Sequence, residues 1–171
     1  MSAIPVRSVL AIVFPVLLIA ASPAAPAAPG AAGSAAAFDR LRALEGRWEA
    51  KGPDGAPLTV SYKVMAQGSV LVEELSYGGM VTMYHMDGDE IMMTHYCAGK
   101  NQPRMRASGL EADGRTLRFR FHDISNLADP DQAHMRRLTI TFNDADHVTQ
   151  EWVHQVGRQE QPMRIELARA R

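Results

Sequence analysis

The sequence predicts an all-β fold, an antiparallel up-and-down barrel of about ten strands with a short N-terminal helix plugging one end. Three observations predict it. After residue 45, short strand-like runs alternate with turn residues to the end of the chain. The connections between runs are too short for a parallel crossover, which needs a dozen residues or more. A meander of that length closes most readily on itself, because closure removes its edge strands. A two-sheet sandwich is the alternative arrangement.

The N-terminus carries targeting features rather than fold. Arg7 precedes an apolar run, SVLAIVFPVLLIAA, and a zone of small residues follows. That order is a secretory signal peptide, assigned to residues 1–21. The apolar run is about 14 residues, short of the roughly 20 of a spanning helix, and Pro15 interrupts it. Cleavage is expected between Ala21 and Ala28, leaving an exported protein, periplasmic or extracellular, with no membrane span. Residues 22–37 are rich in Ala, Pro and Gly and read as a flexible tether, so the barrel domain spans 38–171. The net charge of −1 gives no footprint for nucleic acid. Cys97 is the single cysteine, which excludes an internal disulfide despite export.

Phe38, Leu41 and Leu44 at three-residue spacing predict a short helix ended by Gly46. Ten strands follow, at 46–51, 57–66, 69–76, 80–86, 90–97, 103–109, 115–122, 134–142, 147–156 and 162–169. Gln67-Gly68, Asp87-Gly88-Asp89, Asp113-Gly114 and Asn143–Asp146 are the hairpin signals. In a meander, alternate connections share one end of the barrel. The connections after the second, fourth, sixth and eighth strands are mostly tight, whereas most of the others have five or more residues. One end is therefore closed and the other loop-rich, and the loop-rich mouth is the expected ligand site.

The first strand starts at the closed end and the tenth finishes there, which brings Trp48 close to Arg169. A cation–π pair is the expected structural role of these two residues. Gly46-Arg47-Trp48 after a short helix resembles the Gly-x-Trp signature of lipocalins and the wider calycin group. That resemblance implies a Trp packed at the closed end beneath an Arg of the last strand. The stretches MVTMYHMDGDEIMMTHYCAGKNQPRMRA, DISNLADPDQAHMRRL and DADHVTQEW also resemble a family of exported bacterial lipocalin-like proteins of uncharacterised function. This second resemblance implies the fold and export, and it implies no activity.

The richest constellation is at the mouth. Strand polarity puts His95, Cys97, His122, His134 and His154 near it, and His85 and His147 at the closed end. Alternation then places Ile91, Met93, His95 and Cys97 on one face, and His134 in phase with Leu138, Ile140 and Phe142. His154 is in phase with Val148 and Trp152, whereas His122 shares its face with Arg118 and Arg120. With the apolar face inward, His95, Cys97, His134 and His154 point into the mouth and His122 does not. Such imidazoles and a thiolate, with the many methionines, have the chemistry to hold zinc, copper or a haem iron. Equally, they fit ordinary hydrogen bonding around a partly wet cavity with methionines filling irregular space. The facing of the fifth strand depends on whether the Asp87–Asp89 turn has an even or odd number of residues.

Catalytic signals are weaker. Cys97 and His95 are i, i+2 on one strand, about 7 Å apart and too far for direct proton transfer. Glu73 and Glu74 point to opposite faces and make no acid/base dyad. The Asp-rich segment 123–131 lacks calcium-loop spacing. The expectation is a barrel that binds a small, largely apolar molecule, with His95, Tyr96, Cys97, Arg104, His134 and His154 around it. A metal- or haem-binding protein, an enzyme using the same cavity, and a solid barrel whose loops bind protein are the rivals.

Overall fold

The computed structural model describes residues 29–171 apart from 53, so the expected signal peptide lies outside the described residues. The strands are β1 (Gly46–Lys51), β2 (Pro57–Met65), β3 (Val70–Leu75), β4 (Met80–Asp87) and β5 (Glu90–Tyr96). They continue as β6 (Gln102–Ala107), β7 (Thr116–Ser125), β8 (His134–Phe142), β9 (His147–Val156) and β10 (Gln159–Arg169). All ten pair antiparallel with their chain neighbours, and β1 pairs with β10 to close the barrel. Among the described residues, no helix is long and apolar enough to cross a membrane.

The helix α1 runs Pro29–Arg42, longer than the sequence predicts. Residues 29–37, read as part of a flexible tether, are helical instead. Alanine has the highest intrinsic helix propensity, and tertiary contacts hold the segment in place. Ala37 is fully buried, and the Ser34 hydroxyl oxygen lies within hydrogen-bond distance of the carbonyl oxygens of Asp89 (2.6 Å) and Ser108 (2.8 Å). The backbone of Gly109, at φ +130°, passes so close that a Cβ there would lie 3.2 Å from the Gly33 carbonyl carbon. The helix is thereby anchored to the β4–β5 turn and to the chain just after β6, across the closed end.

Phe38, Leu41 and Leu44 are buried under the barrel together with Trp48. The Trp48 indole N–H donates to the Leu44 carbonyl at 2.7 Å. Arg169, directly opposite Trp48 in the β1–β10 register, places its guanidinium 4.4 Å from the indole centroid. Its terminal nitrogens donate to the carbonyls of Glu45 (2.9 Å) and Ala43 (3.0 Å), so the last strand ties down the chain leaving α1.

The β4–β5 connection settles the facing of β5. Asp87 pairs with Glu90, leaving a two-residue turn of Gly88 and Asp89. Thr82, Tyr84 and Met86 therefore lie opposite His95, Met93 and Ile91 on the inner face. Val81, Met83 and His85 lie opposite Tyr96, Thr94 and Met92 on the outer one.

Candidate functional site

The barrel interior is layered by strand alternation, since inward residues recur about every 6.6 Å along a strand. At the barrel end opposite α1 is a cavity of about 630 Å³, whose lining includes Tyr77, Met80, Cys97, Met135, His154 and Met163. The expected contrast in loop length between the two ends does not hold, because β9–β10 turns through residues 157–158 while β6–β7, at the helix end, is joined by residues 108–115. Counting inward along three strands from that lining gives the next layer. Met80 leads to Thr82 on β4, Cys97 leads to His95 on β5, and His154 leads to Trp152 on β9. All three residues of this lower layer are buried.

His95 and Trp152 stack with ring centroids 4.8 Å apart. Nδ1 of His95 is 2.9 Å from the Thr82 hydroxyl, while Nε2 is buried with no hydrogen-bond partner among the described residues. Burial strips water from the imidazolium and lowers the pKa of His95 from 6.5 to about 4, so the ring is neutral at physiological pH.

Beneath this layer is a polar centre around Glu73, which is fully buried. One carboxylate oxygen accepts from the Tyr84 hydroxyl at 2.5 Å, and the other from the Gln150 amide at 2.8 Å. The same amide nitrogen donates to the Tyr62 hydroxyl at 2.7 Å, and the Gln150 oxygen accepts from the Trp152 indole at 2.9 Å. Desolvation raises the Glu73 pKa above the usual carboxylate range, although its hydrogen bonds act in the opposite sense. Burial and the nearby Glu73 charge raise both tyrosines well above theirs. The opposite facing of Glu73 and Glu74 excludes a dyad and does not by itself reveal this centre. The available signal was phase: Leu71, Glu73 and Leu75 share a face, so a carboxylate stands in the middle of an apolar row.

The expected site residues separate into three groups. Cys97 and His154 line the cavity, with His95 one layer below them. His154 is half-buried, and desolvation followed by the neighbouring His134 lowers its pKa.

His134 does not join them. A register shift between Met135 and Arg137 breaks the alternation of β8, so that Met135 is the residue opposite His154 and His134 pairs with Gln155. His134 is buried by other means, with Nδ1 2.7 Å from the Gln132 carbonyl oxygen and its ring 5.8 Å from Phe121.

Tyr96 and Arg104, expected as polar contacts near the mouth, lie on the outer face. Tyr96 is exposed opposite Val81, and Arg104 makes a two-pronged pair with Asp123. His122 is exposed 3.8 Å from the same Asp123 carboxylate. Among the described residues, no group of three or more His, Cys, Asp or Glu side chains is arranged to hold a metal ion.

Asn101, in the β5–β6 loop, was also missed. It is fully buried at the mouth and its amide N–H donates to the Ala133 carbonyl at 2.9 Å. Its side-chain oxygen has no hydrogen-bond partner among the described residues. No family model matches the chain, and no curated protein matches it.

Proposed function

We propose that this protein is an exported, lipocalin-like barrel that binds a small, largely apolar molecule in the cavity at the end opposite α1. The observation that carries the reading is the cavity itself. It offers about 630 Å³ walled by three methionines, Tyr77 and Cys97, at the barrel end opposite the helix. Methionine suits such a wall because its unbranched thioether adapts to the shape it meets. The closed end supports the same reading. Helix α1, Trp48 and Arg169 fill and tie the far end, which leaves the mouth as the accessible interior.

The test is binding of Nile red, a neutral polarity-sensitive dye, to the purified chain. Enhanced, saturable fluorescence in the wild type and its loss in Met163→Trp, which fills the cavity, would support the assignment. Equal binding by both proteins would place the dye elsewhere and refute it. Native mass spectrometry of protein purified from its own envelope fraction then reads the mass of any retained molecule.

A further inference from the structure

Strand pairing brings three cavity-lining side chains into one row across β8, β9 and β10. Met135 lies opposite His154, and His154 lies opposite Gln161. Directly opposed side chains on one face of a sheet start about 4.5–5.5 Å apart at their Cβ atoms, so the imidazole and the amide share one patch of wall. Neither side chain makes a hydrogen bond or an ion pair among the described residues. Both keep open surface at the cavity, His154 being half-buried and Gln161 exposed. A molecule that fills the cavity takes hydration from these two groups, and leaving them unmatched is costly. The occupant is therefore expected to bring a polar group of its own to this row.

Charge narrows the class of that group. Among the described residues, the cavity wall carries no aspartate, glutamate or lysine to pair with a charged head group. Its arginine, Arg164, is held by Glu151 and Glu166, each at 3.1 Å, so an anion arriving there meets two carboxylates around one guanidinium. Burial, followed by the neighbouring His134, holds His154 toward its neutral form. A neutral imidazole has one N–H donor and one nitrogen acceptor, and the glutamine amide likewise donates and accepts. A hydroxyl or carbonyl group matches that pair without carrying charge into the cavity.

We propose that the molecule held in the cavity is uncharged and bears a hydroxyl or carbonyl group, which hydrogen-bonds the His154 imidazole and the Gln161 amide. This rests on the reading of the cavity as a ligand site, and it adds the class of ligand and the wall that its polar group meets. The apolar remainder of the molecule packs on the thioethers of Met80, Met135 and Met163.

The experiment displaces Nile red from the full chain with four ten-carbon probes, 1-decanol, 1-chlorodecane, decanoate and decylammonium. Decanol should bind about tenfold tighter than chlorodecane, the difference expected of one net hydrogen bond, and tighter than either ion. The double variant His154→Phe, Gln161→Leu should lose that preference and keep its affinity for chlorodecane. In wild-type protein labelled with ¹⁵N-histidine, decanol should shift the His154 ring nitrogens more than chlorodecane does. If the double variant does not fold, the wild-type affinity ratios and nitrogen shifts decide. A double variant that keeps the wild-type preference for decanol would overturn the assignment to this row. Equal affinities for decanol and chlorodecane, or tighter binding of either ion, would overturn the ligand class while the cavity still holds Nile red. Failure of Nile red and every probe to bind would overturn the cavity reading and this inference with it.

Discussion

Arg169 caps Trp48 from a position 121 residues later in the chain, with its guanidinium 4.4 Å from the indole centroid and its N–H groups on the carbonyls of Ala43 and Glu45. The interaction is one of stability rather than chemistry, because both residues lie at the end of the barrel away from the cavity. Trp48→Ala removes a fully buried indole and is expected to cost about 3–5 kcal/mol. His134→Ala should cost less, since His134 is held by one backbone contact and an aromatic neighbour. Urea unfolding of the two variants checks this, and equal midpoints would contradict the ranking.

The interior polar centre makes a second prediction. Gln150→Leu leaves the Trp152 indole N–H without its acceptor and takes a donor from both Glu73 and the Tyr62 hydroxyl. At roughly 1–3 kcal/mol for each buried unsatisfied group, the loss should reach about 3 kcal/mol or more. Gln150→Glu keeps the volume but adds a charge beside Glu73, and it should be no milder. A Gln150→Leu protein as stable as the wild type would show that the network is not rigidly held.

Stability should respond to pH in two opposed ways. His95 has a folded pKa near 4 against 6.5 unfolded, so between those values the unfolded chain binds more protons and stability rises with pH. Its contribution is complete above pH 6.5 and amounts to roughly 3 kcal/mol. The depressed pKa of His154 adds a further component of the same sign. Glu73 acts oppositely. Its folded pKa is raised above 4.5, so its contribution is present below that value and is lost as pH climbs through the folded pKa. Relative to the wild type, His95→Gln should flatten the rise between pH 4 and 6.5, and Glu73→Gln should steepen it. Chemical denaturation at closely spaced pH values measures both, and variants whose profiles run parallel to the wild type would refute the assignment.

Cys97 gives a covalent test of the cavity. Its half-buried thiol lines the wall, so N-ethylmaleimide should modify it and occupy the space that Nile red uses. Modified protein is expected to lose dye binding, and a saturating dose of Nile red should slow the modification. Unchanged dye affinity after complete labelling would count against a shared space.

Export is tested at the N-terminus. Sequencing the protein recovered from an envelope or culture fraction should show that at least residues 1–21 have been removed. An intact Met1 in that fraction would overturn the signal-peptide reading.

The strands were largely legible because their limits are set by local chemistry. The bounds of β1, β8 and β9 coincide with those read from the sequence, with Gly52, Asn143, Asp146 and Gly157 at their limits. The facing of β5 followed once the Gly88-Asp89 turn was known to have two residues. What failed was the extension of a two-residue period through Arg136, where β8 shifts register and exchanges the roles of His134 and Met135. A bulge adds one residue without any compositional mark, so alternation alone does not reveal it. Tyr96 and Arg104 stand beside the mouth on the outer face. Each is one residue out of phase with inward neighbours, so nearness to the mouth does not bring it into the cavity. The Glu73 centre was hidden because its justification is not local. A carboxylate in an apolar row is intelligible only beside Gln150, 77 residues away in sequence.

The seam between β1 and β10 has a consequence in time. The shortest route to a finished barrel requires partners separated by 124 residues, as in the bond from Arg169 to the Glu45 carbonyl. Every other ladder joins neighbours along the chain and can form as a hairpin, but this one has to wait for the last strand. Non-local pairing of this kind slows folding because loop-closure entropy is lost before contacts compensate for it. A chain that crosses a membrane N-terminus first would emerge as an open meander, with β1 and the underside of Trp48 uncovered until Arg169 arrives. Removing the final few residues would therefore prolong an aggregation-prone, open-edged intermediate, beyond whatever it does to the finished barrel.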